Sequence, residues 1–224
     1  MRTRSLVLLA SLAPCAIVSA QATPRASVDL SVAARVSTLG IGGEVSKLLT
    51  PHLGVRVGVH FYSMKRTFDQ EDLAFDATLK MQSVEGLIDL YPGKRGAFHF
   101  TGGIMTNPAS ITGIGVPSGS IFEINDKTYS TSQVGTLNAT GSWSGVLPYV
   151  GMGFGTPATS KKTVRILFDI GAAIGKAKIG LTSSGAANNP TLQADLNAQV
   201  QQAQDDANKI PVFPVISLGL AFRF

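Results

Sequence analysis

Apolar and polar side chains alternate along several segments of the chain. In residues 28–37 every second residue is apolar, and most of the residues between them are polar or charged. Residues 55–66 repeat this pattern, and residues 213–224 show it most clearly, because each even-numbered position from Pro214 to Phe224 is apolar. Successive side chains of a β-strand point to opposite faces, so this period of two predicts strands with one apolar and one polar face.

Eight segments have this strand character. They cover residues 28–37, 41–49, 55–66, 75–90, 97–106, 145–155, 163–175 and 213–224. Turn-forming residues such as Thr50-Pro51-His52 and Tyr91-Pro92-Gly93 separate several of them. Tilted strands of about ten residues are long enough to cross a bilayer, and an even number of strands lets a sheet close with both chain ends on one side. The sequence therefore predicts an all-β fold, a closed antiparallel up-and-down β-barrel of about eight strands.

The alternation changes phase within the fourth segment. Apolar residues occupy odd positions from Phe75 to Met81 but even positions from Val84 to Leu90. Two interpretations are open: a β-bulge beside Gly86, which would insert one residue, or an incorrect boundary between two segments.

The predicted links differ in length between the two ends of the barrel. Links after the second, fourth and sixth strands are short, whereas residues 107–141 and 184–210 form two long ones, as in barrels with short periplasmic turns and longer outer loops. The first long link is rich in Gly, Ser, Thr and Asn, and its segment Ile121–Ile124 predicts a small hairpin. Strong helix formers in residues 190–209 predict a short helix in the last long link, lying outside the barrel or against its mouth. Its narrow apolar stripe could bind a partner, but we expect it to pack on the protein's own barrel.

The first 20 residues have the features of a secretory signal peptide. Arg2 and Arg4 precede an apolar stretch from Leu6 to Ala13, and Val18-Ser19-Ala20 forms a small-residue cleavage site. That stretch is much shorter than the roughly 20 residues that a membrane-spanning helix needs. We therefore predict a signal peptide over residues 1–20, and no later window is apolar enough for a transmembrane helix.

The remaining composition suits one barrel domain over residues 21–224. Charged residues make up only 15% of the chain and glycines number 24, a mixture too rich in small residues for a helical membrane protein. The single cysteine, Cys15, lies in the predicted signal peptide, so no disulfide is expected. Removing Arg2 and Arg4 lowers the 19 basic residues to 17 against 14 acidic ones, and a net charge of about +3 does not indicate a nucleic-acid partner.

The charged faces of the strands distinguish a soluble barrel from a membrane barrel. In a soluble barrel the apolar face would point inward, whereas in a transmembrane β-barrel it meets lipid and the charges fill the lumen. Aromatic residues near strand ends, such as Tyr62, Tyr91 and Trp143, favour the membrane. Side chains can fill a lumen of about eight strands, so we predict a salt-bridged, plugged interior. The predicted lumenal charged network comprises Asp29, Arg35, Glu44, Arg56, Asp76, Lys80, Arg165, Asp169 and Arg223, with Glu85 and Asp89 on the same polar faces.

The end of the chain, Leu218-Gly219-Leu220-Ala221-Phe222-Arg223-Phe224, resembles the terminal strand of small outer-membrane β-barrel proteins. This group includes OmpA-type and OmpW-type barrels, and the segment Pro148–Gly153 is also similar to its strands. The resemblance implies a location in the outer membrane of a Gram-negative bacterium. It also implies that Leu218, Leu220, Phe222 and Phe224 form the signal that the outer-membrane assembly machinery recognises.

Few residues are candidates for catalysis or metal binding. His60 and His99 fall on polar strand faces, but the chain has no G-x-S-x-G serine motif. We therefore expect lumenal histidines that pair with their neighbours rather than a catalytic histidine. With no cysteine after residue 20 and no histidine pair at helical spacing, neither a metal site nor a cofactor is predicted.

These features predict an outer-membrane barrel with a structural or surface-interaction role and no enzymatic activity. Its outer loops would meet lipopolysaccharide, other outer-membrane lipid or surface ligands. Two alternatives remain open: a narrow channel for small apolar solutes, similar to OmpW-type barrels, and a lipid-modifying outer-membrane enzyme that uses a histidine.

Overall fold

The computed structural model describes residues 30–70, 73–93, 97–117, 121–155 and 163–223, most of which lie in β-strands. The predicted signal peptide, Asp29 and Phe224 lie outside these residues. Among the described residues, no helix is long and apolar enough to span a bilayer. The strands and helices, in chain order, are β1 (Leu30–Ser37), β2 (Gly40–Thr50), β3 (Leu53–Gln70), β4 (Leu73–Leu90), β5 (Phe98–Thr106), β6 (Ala109–Pro117), β7 (Ile121–Ile124), β8 (Lys127–Ser130), α1 (Thr131–Val134), β9 (Leu137–Trp143), β10 (Val146–Gly155), β11 (Val164–Ile174), β12 (Lys178–Ser183), α2 (Pro190–Asn208) and β13 (Val212–Arg223).

Eight of the described strands form a closed antiparallel barrel. Their order around the barrel is β4, β3, β2, β1, β13, β11, β10 and β5, and β5 pairs again with β4 to close it. These are the eight strands that the alternation predicts, so the predicted fold class is confirmed. β1 begins and β13 ends at the same end of the barrel, which we call the inner end; the opposite end is the outer end.

Burial alternates along the barrel strands. In β13 the inward-facing Val215 and Ser217 are buried, whereas the intervening Ile216 and Leu218 are 46% and 57% exposed. Large exposed apolar side chains surround the barrel as an outward belt, which includes Val32, Val36, Ile41, Val45, Val57, Val59, Phe61, Val84, Ile88, Phe100, Ile104, Val150, Met152, Phe154, Ile166, Phe168, Ile170, Ile216, Leu218, Leu220 and Phe222. A continuous apolar surface of this extent is typical of a lipid-facing barrel.

β3 and β4 are each 18 residues long and continue beyond the outer end of the barrel. The inner part of β4 pairs with β5, but its outer part pairs with β6 instead. β6 pairs in turn with β9, and β9 with β12, so a second region of sheet rises from the barrel wall. Together with hairpin β7–β8 and both helices, this sheet forms what we call the outer domain.

The change of phase in β4 marks the point at which the strand leaves the barrel. β3 and β4 pair without a register shift along their whole length, so β4 has no bulge beside Gly86. β4 is also one continuous strand, so no boundary between two segments divides it. Within the barrel, the outward face of β4 is apolar because it meets lipid, and it carries the exposed side chains of Val84 and Ile88. Beyond the barrel the other face is apolar, because it packs within the outer domain: the Phe75 ring lies where a side chain at Gly113 would stand.

The long link 107–141 contains more structure than predicted. The predicted hairpin is present as β7–β8, and its turn residues Asn125 and Asp126 have φ of 52° and 59°, as a type I′ turn requires. Strands β6 and β9 were not predicted. In β6, Gly113 and Gly115 occupy buried positions where the alternation would require apolar side chains, so the strand signal is weak.

The predicted helix is present as α2. Asn189 is its N-cap, with the side-chain Oδ1 accepting a hydrogen bond from the Leu192 backbone N–H at 3.1 Å. The helix packs on β12 and hairpin β7–β8 within the outer domain, where Leu192 and Leu196 are fully buried. The apolar stripe therefore packs within the outer domain and not on the barrel as expected, whereas the position outside the barrel agrees with the prediction.

Candidate functional site

The lumen is crossed by a group of buried charged side chains, each from a different strand. We call this group the charge cluster: Arg35 of β1, Glu44 of β2, Arg56 of β3, Asp89 of β4, His99 of β5 and Asp169 of β11. None of these residues is more than 5% exposed. Their strands alternate inward and outward residues, so each strand brings its polar face to the same level of the lumen.

Arg56 contacts all three carboxylates of the cluster. Its Nη2 lies 3.0 Å from Asp169 Oδ1, its Nε 3.2 Å from Asp89 Oδ2, and its Nη1 3.4 Å from Glu44 Oε2. Nη2 also donates a hydrogen bond to Thr101 Oγ1 at 3.1 Å. The planar guanidinium, with five N–H donors, can serve several acceptors in this way, whereas a lysine could not reproduce the arrangement.

Arg35 links the opposite side of the cluster. Its Nε lies 2.8 Å from Glu44 Oε2, and its Nη1 is paired with Asp169 Oδ2. Nη1 also donates to Ser217 Oγ of β13 at 2.8 Å. Two arginines thus hold three carboxylates across the barrel, and a seventh strand joins the cluster through Ser217.

His99 supplies a further donor to Asp169. Its Nε2 lies 2.9 Å from Asp169 Oδ1, while Thr101 donates to Asp89 Oδ1 at 2.7 Å. The eighth strand, β10, has Gly153 beside the cluster and not a polar side chain. A Cβ at Gly153 would lie only 2.6 Å from His99 Nε2. Glycine at this position therefore allows His99 and Asp169 to meet.

An apolar cluster fills the lumen toward the outer end. We call it the apolar plug: Leu39, Leu87, Met105, Leu147, Tyr149, Ala173 and Val215, with Trp143 and Phe213 packed against them. Leu39 belongs to the tight β1–β2 turn, yet it is completely buried. Sequence reasoning did not identify Leu39; the available signal was a lone leucine in an otherwise polar turn.

A second polar group lies beside the plug, formed by His60, Ser83 and Glu85. Among the residues that the structure describes, neither ring nitrogen of His60 has a hydrogen-bond partner, nor does Ser83 Oγ. Gly58 makes room for Glu85, since a Cβ there would lie 2.8 Å from Glu85 Oε1. Next to this group a cavity of about 10 Å³ remains, which is close to the space that one water molecule needs.

The structure brings together part of the predicted lumenal network. Arg35, Glu44, Arg56 and Asp169 meet in the charge cluster, joined by Asp89, whereas Arg165 is buried nearer the inner end. Arg223 lies half-buried at the end of β13. Asp29 lies outside the described residues.

Asp76 and Lys80 are not part of the lumenal network. Both side chains are exposed on the outer part of β4, on the outward face that carries Val84 closer to the barrel. The prediction assigned every polar strand face to the lumen. Beyond the bilayer that rule fails, because the outward face then meets water or lipid headgroups.

The residues predicted as the assembly signal lie on the lipid-facing side of β13. Leu218, Leu220 and Phe222 are 57%, 48% and 45% exposed, and Phe224 lies outside the described residues. Their accessibility on the outward face is compatible with recognition by another protein during assembly, which remains a prediction.

A separate polar cluster organises the outer domain around Asp195 of α2. Asp195 Oδ1 accepts hydrogen bonds from Lys127 Nζ at 2.9 Å and Asn125 Nδ2 at 3.1 Å, and the Tyr129 hydroxyl donates to Oδ2. The Tyr129 hydrogen bond, followed by those from Lys127 and Asn125, lowers the pKa of Asp195 to about 2. One carboxylate thus fastens the helix to hairpin β7–β8.

Within the described part of the chain, no group of three or more His, Cys, Asp or Glu residues is arranged to hold a metal ion. The charge cluster satisfies its own carboxylates with arginine and histidine, so its chemistry is that of an internal support between strands.

Comparison with known proteins supports the fold. No family model matches the chain, and no curated protein matches it in sequence. Two solved outer-membrane barrel proteins from Acinetobacter baumannii are similar in structure. CarO has a TM-score of 0.59 and 19% identity over 88% of this chain and 98% of its own; CarO2 has a TM-score of 0.60 and 18% identity over 88% of this chain and 99% of its own.

Sequence identities of 18% and 19% show that the folds are similar and nothing more. Together with the outward apolar belt, the fold makes this chain a transmembrane β-barrel of the outer-membrane type. The finer assignment to OmpA-type or OmpW-type barrels remains a prediction.

Proposed function

We propose that this protein is a closed outer-membrane barrel that anchors a folded outer domain at the cell surface, where it has a structural or surface-interaction role. The observation that carries the proposal is the filled lumen: the charge cluster and the apolar plug occupy successive levels of it. A barrel that conducts solutes needs a continuous path, whereas this interior is packed with mutually bonded side chains.

Opening the lumen would have a high free-energy cost. Moving Arg56 aside would leave the carboxylates of Glu44, Asp89 and Asp169 under-partnered in a buried setting, and breaking such pairs costs about 3 to 5 kcal/mol. The apolar plug would also have to separate. The free-energy costs of breaking the ion pairs and of separating the plug disfavour the alternative of a narrow channel for small apolar solutes.

The outer domain then becomes the part of the molecule available for interaction. It contains its own apolar core, including Leu137, Leu192 and Leu196, so it is a folded unit and not a set of mobile loops. Its attachment through the continuous strands β3 and β4 fixes its position over the barrel mouth.

Lipid phosphates of the outer leaflet are the first partner we propose for this domain. Lys65 and Lys80 lie on the same outward face, as the pairs Lys65–Thr78 and Ser63–Lys80 on neighbouring strands show. Both lysines are exposed, and this face becomes polar just beyond the apolar belt at Phe61. Lysines at that height suit the phosphates of lipopolysaccharide, each contributing on the order of 1 kcal/mol near an anionic surface.

A non-enzymatic role is part of the proposal. In support of it, His99 Nε2 is engaged with Asp169, and among the described residues no hydroxyl is hydrogen-bonded to its Nδ1 as a serine nucleophile would be. If the protein were a lipid-modifying enzyme dependent on this histidine, lipid turnover by the folded barrel would be measurable and would disappear in the His99→Ala variant.

Cysteine labelling on intact cells tests the proposed arrangement, because the chain has no cysteine after Cys15. Gln202→Cys on the exposed surface of α2 should react with a membrane-impermeant maleimide on whole cells. Thr50→Cys, at the opposite end of the barrel, should react only after the outer membrane is permeabilised. Labelling of Thr50→Cys but not Gln202→Cys on intact cells would reverse the orientation and contradict the proposal.

A second arm tests the lipid contact. The double variant Lys65→Gln/Lys80→Gln should retain less lipopolysaccharide than the parent when each is purified in mild detergent and examined by native mass spectrometry. Lys178→Gln, on another strand of the outer domain, is the matched control. Equal retention by all three proteins would remove the lipid contact from the proposal.

A further inference from the structure

A cavity of about 50 Å³ lies in the inner mouth of the lumen, on the inner side of the charge cluster. Arg165, Tyr91 and His99 are among its lining residues, together with the hydroxyl-bearing Ser31 and Ser46. A water molecule needs roughly 10 to 15 Å³ of such volume, so the cavity holds a few waters or one small polyatomic ion.

Arg165 is buried in the wall of this cavity with no counter-ion in the described part of the chain. It is 8% exposed, and its Nε has no hydrogen-bond partner. No aspartate or glutamate among the described residues forms an ion pair with it, in contrast to Arg35 and Arg56 of the charge cluster. A second polar atom in the same wall, His99 Nδ1, also lacks a partner.

This combination is unfavourable unless something occupies the cavity. A buried charge normally has a charged partner, because desolvation without compensation costs several kcal/mol. Water can satisfy the N–H groups of Arg165 but supplies no compensating charge. The carboxylates of Glu44 and Asp89 also line the cavity, but they are already held by Arg35, Arg56 and Thr101.

We propose that this cavity is a binding site for a small oxyanion, either a carboxylate or a phosphate group, with Arg165 as its principal ligand. The guanidinium fork matches two oxygens of either group and forms its strongest hydrogen bonds with them. The hydroxyls of Ser31 and Ser46 at the cavity wall provide further donors for such an anion.

Side-chain NMR of the folded barrel tests the site directly. Protein with ¹⁵N-labelled arginine is prepared in a detergent without phosphate, and the Nε–H resonance of Arg165 is identified by its absence in Arg165→Gln. Titration with inorganic phosphate, and separately with acetate, should shift this resonance to saturation, whereas chloride at equal ionic strength should not. A barrel in nanodiscs containing phosphatidylglycerol distinguishes a lipid headgroup from a dissolved anion, because only a headgroup site would be occupied before any phosphate is added.

Matched variants keep the test falsifiable. Arg66→Gln removes the same charge from an exposed position in the outer domain and should leave phosphate affinity, measured by calorimetry, unchanged. Arg165→Gln should weaken phosphate binding by about tenfold or more, and Arg165→Lys should restore part of it. A heat-modifiable gel band verifies that each variant is folded. A resonance that does not move, or equal phosphate binding by Arg165→Gln and the parent, would overturn the proposal.

Discussion

Among single residues of the described lumen, Arg56 is the basic side chain that pairs with the most carboxylates. It touches acidic residues from β2, β4 and β11, so one side chain joins four strands that lie in different parts of the wall. Buried ion pairs add little net stability compared with apolar packing, but removing one partner is costly. A substitution of Arg56 therefore measures how much the barrel's stability depends on the charge cluster, which the number of its contacts does not show.

The Arg56→Ala variant should lose about 3 to 5 kcal/mol of unfolding free energy, because Glu44, Asp89 and Asp169 stay buried with fewer donors. The measurement is urea unfolding in detergent micelles, with the temperature at which the folded gel band disappears as a second readout. Arg66→Ala, an exposed arginine in the outer domain, is the control and should change little. Equal stability of Arg56→Ala and the parent would show that the charge cluster does not support the barrel.

Asp195 makes the outer domain sensitive to acid. Hydrogen bonds from Tyr129, Lys127 and Asn125 lower its pKa from 3.8 to about 2 in the folded protein. A carboxyl group with a lowered folded-state pKa stabilises the fold above its ordinary pKa and loses that contribution as pH falls through the folded-state value. Hydrogen exchange in hairpin β7–β8 should therefore accelerate as pH falls from 3.8 towards 2, relative to unstructured reference peptides.

Asp195→Asn supplies the control for this acid response. It removes the titrating group, so the hairpin should be less protected at neutral pH and show little further change on acidification. If parent and variant had the same pH profile, another carboxyl group would be responsible.

Alternation within strands predicted inward faces for Arg35, Glu44, Arg56 and Asp169, since a strand has only two faces and lipid excludes charge from one of them. The structure buries all four side chains. Alternation misplaced Asp76 and Lys80 because the same rule was applied to a part of β4 that has left the barrel.

At the scale of elements, α2 closes an edge of the outer sheet that would otherwise be exposed. Strand β12 is the last strand of that sheet and pairs with β9 on one side. On its other side, Gln204 of α2 accepts a hydrogen bond from the Ile179 N–H at 3.0 Å and donates to the Ala177 carbonyl at 2.7 Å. One amide side chain thus replaces part of a missing neighbouring strand.

Replacement of Gln204 by Ala should expose this strand edge. The Ile179 amide would lose its acceptor, so its hydrogen exchange should accelerate by about tenfold, corresponding to a hydrogen bond worth about 1 kcal/mol or slightly more. Gln201→Ala, an exposed position of the same helix, is the control and should leave Ile179 unchanged. Unaltered exchange in Gln204→Ala would mean that β12 needs no edge protection from the helix.

The β1–β2 turn also contributes to the packing of the lumen, because its Leu39 side chain is part of the apolar plug. Leu39→Ala should reduce the unfolding free energy by about 2 to 5 kcal/mol, as for other fully buried leucines. Leu49→Ala at the far end of β2 provides the comparison, because Leu49 is 50% exposed and should contribute much less. A similar, small effect of both substitutions in urea unfolding would contradict the plug.

The presence of strands and helices was easier to predict from the sequence than the neighbours against which they pack. The eight barrel strands and α2 have strong periodic signals, so their presence followed from the sequence. Strands β6 and β9 contain glycine or small polar residues at packed positions, and their pairing with β4 depends on contacts distant in sequence. The packing of α2 on β12 could not be predicted before β12 itself was known.

At the scale of the whole molecule, one continuous sheet serves two environments. The eight-stranded barrel has lipid outside and a filled lumen inside, while the outer parts of β3 and β4 become the base of a water-exposed domain. In the role proposed above, the filled lumen keeps the barrel rigid, and the outer domain presents the surface that partners would bind. The charge cluster and the apolar plug together predict a barrel with a sealed interior.

Single-channel recording in planar lipid bilayers tests whether the interior is sealed. Refolded parent protein, verified by its heat-modifiable band, should insert without producing unitary current steps at either polarity, with a conducting porin recorded in the same bilayers as a positive control. Absence of current steps would agree with a lumen closed by the charge cluster and the apolar plug. Reproducible unitary steps from the parent protein would contradict the sealed interior and turn attention to transport through the barrel.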